Sequence, residues 1–96
     1  MKLVYSQDAI TDLVRLRAFI AEHDPSVAAR IAADLRARID TLCAFPMIGR
    51  SVGRAPDPGR IRDLLAADYV VRYAVQHASV VVLRIWHHHE DRSSGP

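Results

Sequence analysis

Three histidines in a row, His87-His88-His89, stand near the end of the chain, and Arg62, Arg72 and Arg84 each interrupt one of its most hydrophobic runs. Imidazoles titrate near neutral pH and ligate metals, so the triplet raises proton transfer and metal binding. Metal binding fails on geometry. In extended backbone successive side chains point to opposite faces, so three consecutive imidazoles cannot converge on one ion. No neighbouring cysteine and no helical HxxxH or HExxH spacing completes a ligand set. Neither a metal site nor a cofactor is expected. The arginines suit phosphate or carboxylate partners, and strand register decides whether they act together. If Val75 pairs with Val80, Arg84 lies opposite Val71, and Arg72 and Arg84 project from opposite faces; a one-residue slip brings them together. That reasoning does not place Arg62. The bland alternative for each is a surface arginine lying along apolar neighbours.

A second basic group lies in PMIGRSVGRAPDPGR, Pro46 to Arg60, where each glycine is followed by arginine: Gly49-Arg50, Gly53-Arg54 and Gly59-Arg60. Its glycines and prolines predict a loop. It lacks Gly-Lys-Ser/Thr and a leading strand, so it is not a phosphate loop. Arg50, Arg54 and Arg60 either meet phosphates or acidic side chains, or simply face solvent. Trp86 ends the most hydrophobic strand and reads as core or rim packing. A lone tryptophan without interleaved basic and aromatic residues is poor support for single-strand binding. Cys43, the sole cysteine, excludes an internal disulfide and reads as a buried, inert thiol in a reducing compartment. No Ser/His/Asp set, nucleophile elbow or paired carboxylates are visible, so these residues alone announce no enzyme.

The elements that must position these groups follow from periodicity. Lys2–Tyr5 is β-prone and leads into a helix with Ser6 as N-cap and Asp8 in the first turn. Ile10, Leu13, Leu16 and Ile20 form its expected apolar stripe, and it ends near His23 before Asp24-Pro25. Asp24 caps a second helix with Pro25 at its first position and a stripe of Ala28, Ile31, Leu35, Ile39 and Leu42. So short a link makes the two helices an antiparallel hairpin. From Ile61 to His88 the runs IRDLL, YVVRYAVQ and VVVLRIWHH read as a β-meander. Tyr69, Val71, Tyr73 and Val75 share one face of the middle run. The last run is apolar on both faces and reads as an interior strand. The fold class is α+β: an N-terminal strand, then an antiparallel helical hairpin packed on an antiparallel sheet of three C-terminal strands (β-α-α-β-β-β).

Composition bounds the rest. Ninety-six residues, half of them hydrophobic, make one domain over residues 1–96, with a polar tail from about residue 90. A formal net charge of +2 is a mild basic bias, far below a dedicated nucleic-acid arm. No apolar run approaches the roughly 20 residues that span a bilayer. No signal-peptide pattern opens the chain, and a soluble cytoplasmic protein is expected.

Taken in order, Pro46…Gly49-Arg50, Arg62-x-Leu64, Tyr69-Val-Val-Arg-Tyr73 and Leu83-Arg84-Ile85-x-His87 resemble the RelE/ParE superfamily of bacterial type II toxins, closest to ParE, over about Leu3 to Arg92. The resemblance implies a toxin held inactive in a hetero-oligomer by a cognate, ParD-like antitoxin. ParE-like members poison DNA gyrase without being nucleases, so no enzyme and no direct sequence-specific DNA binding are expected, and no membrane is involved. On that reading the target-binding residues are Arg50, Arg54, Arg60, Trp86, His87 and His88. The alternative is a RelE-like, ribosome-dependent mRNA endonuclease with Arg62, Arg84 and His87 as catalytic groups. A third possibility is an inactive relative that only binds its antitoxin. After His87 the chain continues His88, His89, Glu90, Asp91, where many ParE-like chains have glycine and arginines, and no tyrosine follows. The missing tyrosine and the low charge both weigh against the nuclease.

Overall fold

Strand β1 (Lys2–Tyr5) runs straight into helix α1 (Gln7–Ala21) in the computed structural model, which describes residues 1–53 and 59–88. Ser6 serves both elements: its hydroxyl accepts from the Ala9 N–H at 3.0 Å and donates to the Leu83 carbonyl at 2.9 Å. Helix α2 (Pro25–Asp40) begins as expected. The Asp24 carboxylate accepts from the Ser26 and Val27 N–H groups and Pro25 occupies the first turn, where its missing donor costs nothing. A 3₁₀ turn at Thr41–Cys43 ends it. Cys43 is thus half-buried in that turn rather than on a buried helix face.

Strands β2 (Arg50–Ser51), β3 (Ile61–Ala66), β4 (Tyr69–Gln76) and β5 (Ser79–His87) complete a five-stranded sheet in the order β1-β5-β4-β3-β2. The three C-terminal strands pair antiparallel, as expected. Two further strands extend them: β1 runs parallel to β5, and β2 pairs with β3 inside the segment expected to be loop throughout. Two residues of pairing are too few for a periodic signal, which is why Arg50–Ser51 escapes sequence reading. The β3–β4 and β4–β5 turns place Ala67 (φ 56°) and His77 (φ 38°) in the left-handed region.

The hairpin covers one sheet face. Leu16, Leu35, Ile39 and Leu42 meet Tyr69, Val71, Tyr73, Val80, Val82 and Ile85 in one core. Each fully buried Val, Leu or Ile stabilises by about 1.5–3 kcal/mol, against a few tenths for an exposed ion pair on the outer face of a helix. The stripes therefore decide how the hairpin docks. On α1 the stripe is rotated from the expected one: Ile10 is exposed, and Ala9, Asp12 and Leu16 are buried, flanked by Leu13 and Ile20. A carboxylate on the core face needs partners, and β5 supplies them.

Candidate functional site

The loop before β2 is latched onto the sheet by a tyrosine. Tyr73 is fully buried, and its hydroxyl accepts from the Gly49 N–H at 2.9 Å and donates to the Pro46 carbonyl at 2.7 Å. Burial pushes the Tyr73 hydroxyl up from its ordinary pKa, with Gly49 and Arg62 opposing, so it stays protonated and able to donate. Arg62, paired with Tyr73 across the ladder, donates to the Gly49 carbonyl at 2.8 Å and the Met47 carbonyl at 3.4 Å. Gly49 is required by closeness: a Cβ there would lie 2.5 Å from the tyrosine oxygen and 2.7 Å from its Cε1. The spacing Pro46…Gly49, together with Arg62 and Tyr73, is thus the chemistry of one latch, which carries Arg50 to the sheet edge.

The second arrangement joins α1 to β5. Pairing runs Val75↔Val80, Ala74↔Val81 and Tyr73↔Val82, then shifts by one residue so that Arg72 faces Arg84 and Val71 faces Ile85. Leu83 is the extra residue of a β-bulge. The expected pairing of Arg84 with Val71 is therefore corrected, although its premise, Val75 with Val80, holds. The two arginines do not act on a common ligand. The Arg72 guanidinium makes two bonds to Asp63, at 2.9 and 3.0 Å, and lies 5.1 Å from the centre of the Trp86 ring. Arg84 bonds the Asp12 carboxylate at 2.9 and 3.3 Å. Asp12, only 4% exposed, also accepts from the Ile85 N–H at 2.8 Å. Burial alone would raise the pKa of this carboxyl, but the bonds from Arg84 and Ile85 outweigh it and hold the group below its ordinary value.

On the sheet face away from the helices lies an open groove of about 460 Å³. Ile48, Leu64, Leu65, Val70 and Trp86 make its apolar lining, with Val70 and Trp86 largely buried in its floor, and Arg50, Asp63 and His88 are its polar groups. Leu65 and Ile48 are 57% and 54% exposed, so apolar side chains there meet water. Arg50, Trp86 and His88 of the expected target-binding residues thus come together. Arg60 does not: it sits just before β3, at the end away from the groove, with its Nε donating to the Val75 carbonyl. His87 turns from the groove, edge-on to Tyr69 with ring centres 5.2 Å apart. Arg54 lies outside the described residues, as do His89, Glu90 and Asp91.

The alternative catalytic groups are not assembled. Arg62 aligns with Tyr73 and His87 with Tyr69, so their backbones differ by roughly 13 Å along the strands and about 10 Å across two strand spacings. Arg62 and Arg84 are bound to different parts of the fold. Sequence reading missed Asp12 and Asp63. The signal for Asp12 was an acid in register with Ala9 and Leu16 on the core stripe. For Asp63 it was alternation, which puts it level with Arg72 only once the β3–β4 turn is known to be Ala67-Asp68.

A family model described as the ParE toxin of the type II toxin-antitoxin system parDE matches residues 3–92. The chain belongs to the ParE toxin family. Among similar ParE-family and related toxins, Toxin RelE1 of Caulobacter vibrioides is 40% identical over 90 residues, covering 94% of this chain and 96% of that protein. Toxin RelE2 of the same organism is 31% identical, covering 90% and 93% of the two chains. A putative toxin, Y4kP, of Sinorhizobium fredii is 33% identical over 85% and 82%. Among solved structures, a chain of a chromosomal ParDE system from P. aeruginosa superposes with a TM-score of 0.74 at 21% identity, over 91% of this chain and 95% of that one. At that identity the likeness shows the ParE fold alone. Residues 3–92, which the family model matches, include those of the latch, the Asp12–Arg84 contact and the groove.

Proposed function

We propose that this ParE-family chain is a toxin that works by binding rather than by cutting: it inhibits DNA gyrase, and a ParD-like antitoxin neutralises it in a cytoplasmic hetero-oligomer. The observation that carries this reading is the groove. It gathers Arg50, Trp86 and His88 around exposed apolar residues, while Arg62 and Arg84 are engaged in holding the fold and His87 packs on Tyr69. Catalysis by positioned groups needs those groups within reach of one reacting atom, and their separation favours a recognition surface. A partly apolar groove in which Arg50 is balanced by Asp63 fits a protein segment better than a nucleic-acid backbone, which selects dense positive charge.

The test is growth inhibition on induction, with and without the antitoxin encoded beside the gene. Leu65→Glu and Arg50→Glu, both exposed changes, should abolish toxicity while leaving the circular dichroism spectrum and melting temperature near wild type. His87→Ala should keep toxicity. Loss of toxicity in His87→Ala, with both groove variants fully toxic, would overturn the reading.

A further inference from the structure

Strand β5 is nine residues long, and its parallel neighbour β1 covers only its first part, the last pair being Tyr5↔Val82. Beyond that pair the outer edge of β5 has no strand beside it among the described residues. Helix α1 substitutes for one. The Ser6 N–H donates to the Val82 carbonyl at 2.9 Å, the Ser6 hydroxyl to the Leu83 carbonyl at 2.9 Å, and Asp12 accepts from the Ile85 N–H and from Arg84. All four residues from Val82 to Ile85 are held by Ser6, the N-cap of α1, and by Asp12 in its first half, and this is the bulged segment.

The bulge has a consequence for the groove. Before it, Val80 and Val82 face the core; after it, Ile85 does, an odd step that moves Trp86 and His88 to the opposite, groove-lining face. Continued without the extra residue, the pairing would set Trp86 against Tyr69 and Ile85 against Val70, with the tryptophan toward the helices. We propose that Asp12 is a positioning residue for the binding surface: by holding Arg84 and the Ile85 N–H on the far side of the bulge, it fixes the orientation in which Trp86 and His88 are presented. The role in binding rests on the groove being the recognition surface. The positioning itself does not.

The experiment compares Asp12→Ala with Asp12→Asn in the full chain, by residue-resolved amide exchange and by binding to DNA gyrase. Asparagine retains an oxygen that can accept from Ile85; alanine does not. In Asp12→Ala the Ile85 amide should exchange at least 10-fold faster relative to the Val71 and Val82 amides than in the wild type, and binding should weaken at least 10-fold. Asp12→Asn should restore most of the Ile85 protection and most of the binding. Equal acceleration at Ile85, Val71 and Val82 would show a merely global loss of stability and overturn the proposal. If Asp12→Ala does not fold, Asp12→Asn is compared with Asp12→Ser, whose shorter side chain cannot reach; identical Ile85 exchange in the two would equally overturn it. A wild-type protein that binds no gyrase would defeat the functional reading, while the exchange pattern would still decide the positioning.

Discussion

Gly49→Ala adds a single methyl group, and the structure gives it nowhere to go. Its Cβ would stand 2.5, 2.7 and 2.9 Å from the oxygen, Cε1 and Cζ of Tyr73. Tyr73 cannot move aside cheaply, because the ring is fully buried and its hydroxyl is bonded to Gly49 and Pro46. Overpacking a filled site costs about 1–3 kcal/mol, and breaking one or two hydrogen bonds adds about 0.5–1.5 kcal/mol each. A loss of roughly 2–4 kcal/mol follows, a large part of the 5–15 kcal/mol typical of a whole domain. For a domain of this size that lowers the melting temperature by about 10–25 °C. Urea denaturation of the two proteins measures it. Pairing the change with Tyr73→Phe sharpens the test: removing the hydroxyl relieves the closest contact, so the double variant should be less destabilised than the sum of the singles by about 1 kcal/mol or more. A Gly49→Ala protein within about 0.5 kcal/mol of wild type, or strictly additive effects, would refute the latch.

Other outcomes follow from the same geometry. Ala67→Gly relieves a left-handed alanine in an exposed turn and should raise stability by about 0.5–1 kcal/mol in the same denaturation assay. The folded protein holds the Asp12 carboxyl below its ordinary pKa, so the stability it confers is complete above the unfolded value, near pH 4, and is lost as pH falls through the lower folded value. Asp12→Asn should therefore flatten the acid limb of a stability–pH profile; an unchanged acid limb would count against the buried contact. Asp63 and Arg72 are each partly exposed, so a double-mutant cycle should give a coupling of only about 0.5–1 kcal/mol.

How much of this could be read from the chain varies with the range of the interaction. Both helices, their caps and the three-stranded meander rest on local signals, and Ser6, Asp24 and Pro25 do what their types imply. The expected β4 face of Tyr69, Val71 and Tyr73 is the core face. What escaped depends on residues far apart in the chain. Strand β1 joins β5 across more than 70 residues, Asp12 meets Ile85 with a separation of 73, and Tyr73 reaches Gly49 from 24 residues away. The bulge at Leu83 could not be seen because β5 is apolar on both faces, so no alternation marks where the register slips. The groove was legible to the same degree. Trp86, His88 and Arg50 were singled out by type, but only the register and the two-residue strand β2 bring them to one groove.

Recognition without cleavage is the central claim, and one paired assay tests it most directly. Purified protein is added to DNA gyrase on relaxed plasmid and, separately, to ribosomes programmed with messenger RNA, each with and without the antitoxin. The account predicts blocked supercoiling or gyrase trapped on DNA, reversed by the antitoxin, with the messenger RNA left intact. Codon-phased cleavage of that RNA, with gyrase unaffected, would contradict it.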